Sequence, residues 1–132
     1  MIFKPKEKFN LKFVVSNEIQ DNFIQNFKDR NPLHTNEAFA KLKGFKGRVM
    51  HGNILNGFLS YFIGECLPVK NVIIHSQEIQ FKLPVYLDDE LDFEAEVSGV
   101  YESVNSVEFK FNFKNAEKKT VARGKIQIGL LQ

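Results

Sequence analysis

Asp29 and His34 stand five residues apart in Asp29-Arg30-Asn31-Pro32-Leu33-His34, a carboxylate and an imidazole separated by a stretch that Asn-Pro stiffens. On a turn, that spacing lets two side chains converge on one water, and an Asp and a His sharing a water form a general acid and base pair. By itself the hexapeptide reads more simply as ordinary Asn-Pro turn chemistry with both side chains solvated. A second piece is His51-Gly52, ahead of an apolar helical stretch. The first N–H groups of a helix lack internal partners and favour negative charge, and a glycine there lets a carbonyl oxygen approach closely, which makes an oxyanion site without a charged side chain. The plainer reading is that Gly52 permits tight packing and His51 caps the helix.

The element that must carry the second piece is His51 to Cys66. Ile54, Leu55, Phe58, Leu59, Phe62, Ile63 and Cys66 follow helical spacing, while Gly57, Ser60, Tyr61 and Gly64 take the places where a surface helix carries Lys and Glu. A helix with no charged face is wrapped by protein on most sides, and about 15 residues at about 1.5 Å each do not span a bilayer. The sequence therefore predicts a central buried helix.

Ahead of it, Leu11 to Val15 reads as a strand, and Ser16 as the N-cap of a helix carrying Ile19, Phe23, Ile24 and Phe27. Asn31-Pro32 breaks that helix, Asn36 caps a short one and Gly44 closes it. After Pro68 the period becomes two. Val72 to Phe81 is a strand; Leu91, Phe93, Ala95 and Val97 alternate with acids; Val107, Phe109, Phe111 and Phe113 alternate with polar residues; Lys119 to Leu131 is the last strand. Short turns at Ser103 to Ser106 and Asn115 to Lys118 imply an antiparallel meander. Helices first and strands after, with one helix too apolar for water, predict an α+β hotdog, a curved antiparallel sheet wrapped around the central helix.

Composition narrows the function classes. At 132 residues, 43% hydrophobic and 26% charged, residues 1–132 form one domain with a real core. A net charge of +2 with interspersed signs gives no case for nucleic acid. The single cysteine, Cys66, excludes an internal disulfide framework and a multi-cysteine zinc site, and reads as a small core residue. His75 reads as a structural strand histidine, and no metal-ligand spacing stands out. Without a signal peptide or a transmembrane run, the expectation is a soluble cytoplasmic protein that uses no membrane.

Together the two chemical pieces resemble something specific. Asp29-x-Asn31-Pro32-x-His34, the Ala38-Phe39-Ala40 after it, His51-Gly52 at the helix start and Phe81-x-x-Pro84-Val85 stand in the order of the MaoC-like family of hotdog proteins, whose catalytic members include (R)-specific enoyl-CoA hydratases. The resemblance covers roughly Phe23 to Val97. It implies that Asp29 and His34 hold the catalytic water, that the Gly52 N–H holds the thioester carbonyl, that Asn31 braces the loop and that Ser60 lines the site. The reaction would be reversible syn addition of water to a 2-enoyl thioester of CoA or acyl carrier protein, giving the (R)-3-hydroxyacyl product, with no cofactor and no metal. A homodimer with its sheet continuing across the interface is implied as well, and exposed edge strands argue for it independently.

The chain departs from the family at Phe27-Lys28, where a small residue and Gly are common, at Asn53, where Met is common, and at Asp88, where Gly is common. Phe27 would narrow the acyl pocket, and Asn53 would add a polar group beside His51 near the carbonyl site, so both bear on substrate choice. Lys41, Lys43, Lys46 and Arg48 form a loose basic stretch that CoA phosphates or an acidic carrier protein could meet. Two other functions compete. A hotdog thioesterase would carry its acid or nucleophile on the central helix, where only Glu65 stands, at the wrong end. A non-catalytic acyl-thioester binding subunit would have no reason to keep both Asp29 and His34.

Overall fold

The computed structural model describes residues 2–132. Five strands, β1 (Lys8–Val14), β2 (Val72–Phe81), β3 (Glu90–Tyr101), β4 (Ser106–Lys114) and β5 (Thr120–Leu130), form one antiparallel sheet in the order β1-β3-β4-β5-β2. β3, β4 and β5 are the expected meander. The long segment between β1 and β2 holds helices α1 (Asn17–Phe27), α2 (Pro32–Thr35), α3 (Glu37–Leu42) and α4 (Asn53–Tyr61). It also moves β2 to the far edge, beside β5.

The alternation read from the sequence is the alternation of burial. Leu91, Phe93, Ala95 and Val97 of β3 and Val107, Phe109, Phe111 and Phe113 of β4 are buried, and α4 lays Ile54, Leu55, Phe58 and Leu59 against them. Phe13 of β1 stacks on Phe58 with ring centroids 4.4 Å apart, and Phe62 meets Phe93 at 5.1 Å and Phe109 at 5.4 Å. Each such ring removed from water contributes roughly 1.5–3 kcal/mol. A sheet closed over one apolar helix is the hotdog arrangement.

Four details differ from expectation. The central helix is α only through Tyr61; Phe62–Cys66 is a π turn, and its end is held by Lys70, whose Nζ donates to the carbonyls of Gly64 (3.3 Å) and Glu65 (3.0 Å). Within the single chain the helix is covered on one side only, with Asn53, Gly57, Ser60, Tyr61 and Gly64 exposed. Cys66 is half-buried rather than core. His75 is exposed at a β-bulge between Ile74 and Ser76, its ring lying over Gly129.

The helix boundaries follow their caps. Ser16 Oγ accepts from Ile19 N–H, and Asn36 Oδ1 accepts from Phe39 N–H. Gly44 follows α3 with φ +94°, the left-handed conformation that favours glycine. No helix among the described residues is long and apolar enough to cross a membrane.

Candidate active site

The site is assembled where the end of α1, the loop through α2 and the start of α4 meet. α1 stops at Lys28, whose φ of 64° is left-handed and whose N–H donates to the Ile24 carbonyl at 2.8 Å. Two successive Asx turns follow: Asp29 Oδ1 accepts from Asn31 N–H at 3.1 Å, and Asn31 Oδ1 accepts from Leu33 N–H at 3.0 Å. Pro32 occupies the first turn of α2, where its missing N–H costs nothing. His34 therefore sits on a one-turn helix and not on the plain turn expected. Asn31 is committed to capping that helix and lies outside the two cavities described below.

Hydrogen bonds to carbonyls fix both imidazoles. A carbonyl oxygen can only accept, so His34 Nδ1, 2.7 Å from Val49 O, carries a proton, and in the neutral ring the lone pair falls on Nε2. His51 Nε2, 3.0 Å from Asp29 O, likewise carries its proton, and the buried Nδ1 has no partner among the described residues. The rings stack at 4.0 Å between centroids and 29° between planes, with Phe23 on His51 at 4.6 Å. Asp29 Oδ2 lies 4.0 Å from His51 Nε2. The expected pairing of Asp29 with His34 is thus built with His51 as its third member.

A cavity of about 310 Å³ opens onto Asp29, His34, His51 and Gly52, with Phe81 and Val85 among its apolar walls. Gly52 opens the first turn of α4, where no side chain caps the helix. A Cβ on Gly52 would come within 2.9 Å of the Phe81 ring. The arrangement brings an imidazole, a carboxylate and the start of a helix to one space, groups of the kind that water addition beside a polarised carbonyl calls for.

A larger cavity of about 760 Å³ lies on the other side of Asp29, between α1 and α4, lined by Phe23, Phe27 and Phe58 and by the amides of Asn22, Asn26 and Asn53. Phe27 is 70% exposed at this cavity and packs on Phe23 with centroids 4.9 Å apart. Asn53 borders both cavities, and its Oδ1 accepts from Asn56 Nδ2 at 2.8 Å. Ser60 is exposed farther along α4 and lines neither cavity, so within one chain it is not brought to the Asp29 and His34 group.

Residues 7–120 match the MaoC like domain family. The chain belongs to that family. Among relatives of this MaoC-like domain, the (R)-specific enoyl-CoA hydratase of Aeromonas caviae is 40% identical over 74 residues, 56% of this chain and 55% of the relative. A mitochondrial 3-hydroxyacyl-[acyl-carrier-protein] dehydratase of Arabidopsis thaliana is 30% identical over 99 residues, 73% of this chain and 58% of the relative. The chain thus spans little more than half the length of these curated relatives. In structure it is similar to the (R)-hydratase of A. caviae involved in PHA biosynthesis, with a TM-score of 0.90 at 27% identity over 98% of each chain. An R-hydratase of Pseudomonas aeruginosa gives 0.88 at 28% identity, over 98% of this chain and 83% of that one. The hotdog reading of the sequence is therefore borne out.

Two features escaped the sequence reading. Gln20 is fully buried and its Nε2 donates to the His34 carbonyl at 2.8 Å. Its signal was present, because position 20 lies three and four residues before Phe23 and Ile24, on the apolar stripe of α1. The other is a group of metal-ligand type: Asp29, His34 and His51 each present one ligand atom, all within 4.8 Å of one another. His51 Nε2 donates to Asp29 O, so that nitrogen has no lone pair to give to a metal.

Proposed function

We propose that this MaoC-like domain is an enzyme that adds water reversibly and syn to 2-enoyl thioesters, giving (R)-3-hydroxyacyl thioesters. The observation that carries the reading is the convergence of the Asp29 carboxylate and the His34 imidazole, within 4.8 Å of each other, at the cavity where α4 begins without a side-chain cap. Relatives named as enoyl-CoA hydratase and as 3-hydroxyacyl-carrier dehydratase support the two directions of one reaction. A water between Asp29 and His34 loses a proton to the pair while its oxygen bonds to C3. Charge moves to the thioester oxygen, received by the Gly52 N–H, and C2 takes the proton back from the pair. The chemistry asks for no cofactor beyond the thioester substrate.

In this reading Asn31 braces the loop, Phe27 and Asn53 border the acyl group, and His51 serves the Asp29 backbone. Ser60 would reach substrate only with a second subunit in place. We infer a homodimer on two grounds: the outward face of α4 carries no charge, and edge strand β2 leaves Ile73, Ile74 and Phe81 exposed. A CoA or carrier-protein thioester would meet Lys41, Lys43, Lys46 and Arg48, although Lys41 and Arg48 already lie 3.8 and 3.7 Å from Glu37. Thioester hydrolysis is disfavoured because Glu65 is exposed and paired with Lys70 at 3.5 Å.

The test follows the absorbance of a conjugated enoyl thioester, crotonyl-CoA and a longer homologue, with the native protein and with Asp29→Asn and His34→Ala. Loss of the enone signal, lowered about 10²–10⁴-fold in each folded variant, is the expected result. Binding of CoA and carrier-protein substrates without turnover would overturn it in favour of a non-catalytic binding subunit.

A further inference from the structure

We propose that Gln20 and His51 are positioning residues that hold the backbone of the acid and base pair, an inference that rests on the hydratase reading for its kinetic arm only. Each is a buried side chain, Gln20 at 0% and His51 at 3% exposure, and each donates to the backbone carbonyl of one reactive residue. Gln20 Nε2 donates to His34 O at 2.8 Å, and His51 Nε2 donates to Asp29 O at 3.0 Å. The donors come from different elements, α1 and the segment entering α4. The loop between them is thereby fixed at both reactive residues.

The second atom of each donor shows that packing is not the reason for these residue types. Gln20 Oε1 and His51 Nδ1 are the two buried side-chain polar atoms found without a partner among the described residues. Burying an unpartnered acceptor is unfavourable, and an apolar side chain of the same shape would avoid it. What an apolar side chain could not do is hold a carbonyl. Each reactive residue then has two anchors. His34, which lines the smaller cavity, is held at its carbonyl by Gln20 and at Nδ1 by Val49 O, which leaves Nε2 as its unengaged nitrogen. Asp29 is held at its carbonyl by His51 and at Oδ1 by Asn31 N–H, which leaves Oδ2. Reaction geometry is sensitive to displacements of about 1 Å, so anchors of this kind act on turnover more than on binding.

The test starts with the native protein. Nitrogen-15 spectra of the imidazoles at mildly alkaline pH should show His34 protonated at Nδ1 and His51 at Nε2; the reverse tautomer at either ring overturns the proposal. Gln20→Met and His51→Phe remove the donors while keeping the volume. The expected result is a kcat lowered about 10- to 100-fold with KM changed by less than about two-fold. The His34 nitrogens should move toward tautomer-averaged values in Gln20→Met. His51→Gln, which restores a donor, should recover most of the loss. Folded variants with native kcat and an unaltered His34 tautomer would overturn the assignment. If the native protein hydrates no thioester, the functional reading fails by itself, and the His34 tautomer in Gln20→Met still decides the positioning role.

Discussion

His34 and His51 stack at 4.0 Å as opposite tautomers, and each ring donates to a carbonyl of the segment that carries the other: His34 to Val49 and His51 to Asp29. This exchange zips the α2 loop to the entry of α4, together with the Val49 N–H donated to Leu33 O at 3.1 Å. Lone pairs and protons are thereby allotted by backbone acceptors, which cannot themselves titrate. With Nδ1 engaged by a carbonyl, Nε2 is the His34 nitrogen left for the role proposed above.

Gly52→Ala puts a methyl group where the helix start meets the smaller cavity. Its Cβ would come within 2.9 Å of Phe81, a ring that is 52% exposed and free to swing outward. Stability should therefore fall by only about 1 kcal/mol, since the ring can move aside while Ala is a poorer N-cap than Gly. Turnover of enoyl thioester should fall at least about 10-fold through lost approach to the backbone donors. Parallel urea unfolding and steady-state kinetics check both halves.

Lys28 and Asp88 stand at φ of 64° and 66°, the two positions where the family pattern has Gly. A side chain in the left-handed region costs about 1–2 kcal/mol, less for Asp than for Lys. Lys28→Gly should stabilise the protein by about 1 kcal/mol, and Asp88→Gly by less. Thermal unfolding should show a rise of roughly 4 °C for Lys28→Gly. A fall would mean that the Lys28 side chain makes a compensating contact.

Gly124 of β5 lies where strand β2 passes closest. A Cβ there would run into the Glu78 carbonyl group, with Glu78 C at 2.8 Å, and backbone cannot swing aside as a ring can. Gly124→Ala should destabilise by about 1–3 kcal/mol and weaken the β2 edge first. Hydrogen exchange resolved along β2, beside urea unfolding, would register it.

Lys12 and Asp92 form an exposed pair across β1 and β3 at 3.0 Å. The hydrogen bond and charge of Lys12 hold the Asp92 carboxyl below its usual 3.8, and Asp92 raises Lys12 above 10.5. For the lowered acid, the contribution is complete above 3.8 and is lost as pH falls through the lower folded value. For the raised lysine, it is lost as pH rises through the higher folded value. Asp92→Asn should lower the urea midpoint slightly at neutral pH, and the difference should close in acid and in high salt. A difference that persists in acid would point to packing.

Much of this was written locally. Ser16 and Asn36 cap the helices the sequence assigns to them, and the apolar alternation of β3 and β4 is the buried face of the sheet. Caps depend on neighbours three residues away and alternation on the pleat, so both are readable from a window of residues. Asp29, His34 and Gly52, which meet at one cavity, stand out in the sequence for the same reason, as short motifs with a fixed order.

Other features depend on segments far apart in the chain. The place of β2 beside β5, the exposure of His75 and the one-sided cover of α4 follow from how the sheet closes, which no window contains. Gln20 looks like a flaw in an apolar stripe until the fold brings the His34 carbonyl to it. The sequence alone determined the caps, the buried face of the sheet and the short motifs that mark candidate residues, because those depend on local spacing. Only the tertiary structure decided which nitrogen of each imidazole holds a proton and which buried side chains hold the reactive backbone, because a hydrogen bond is set by distance in space, and these partners lie 14 to 22 residues apart along the chain.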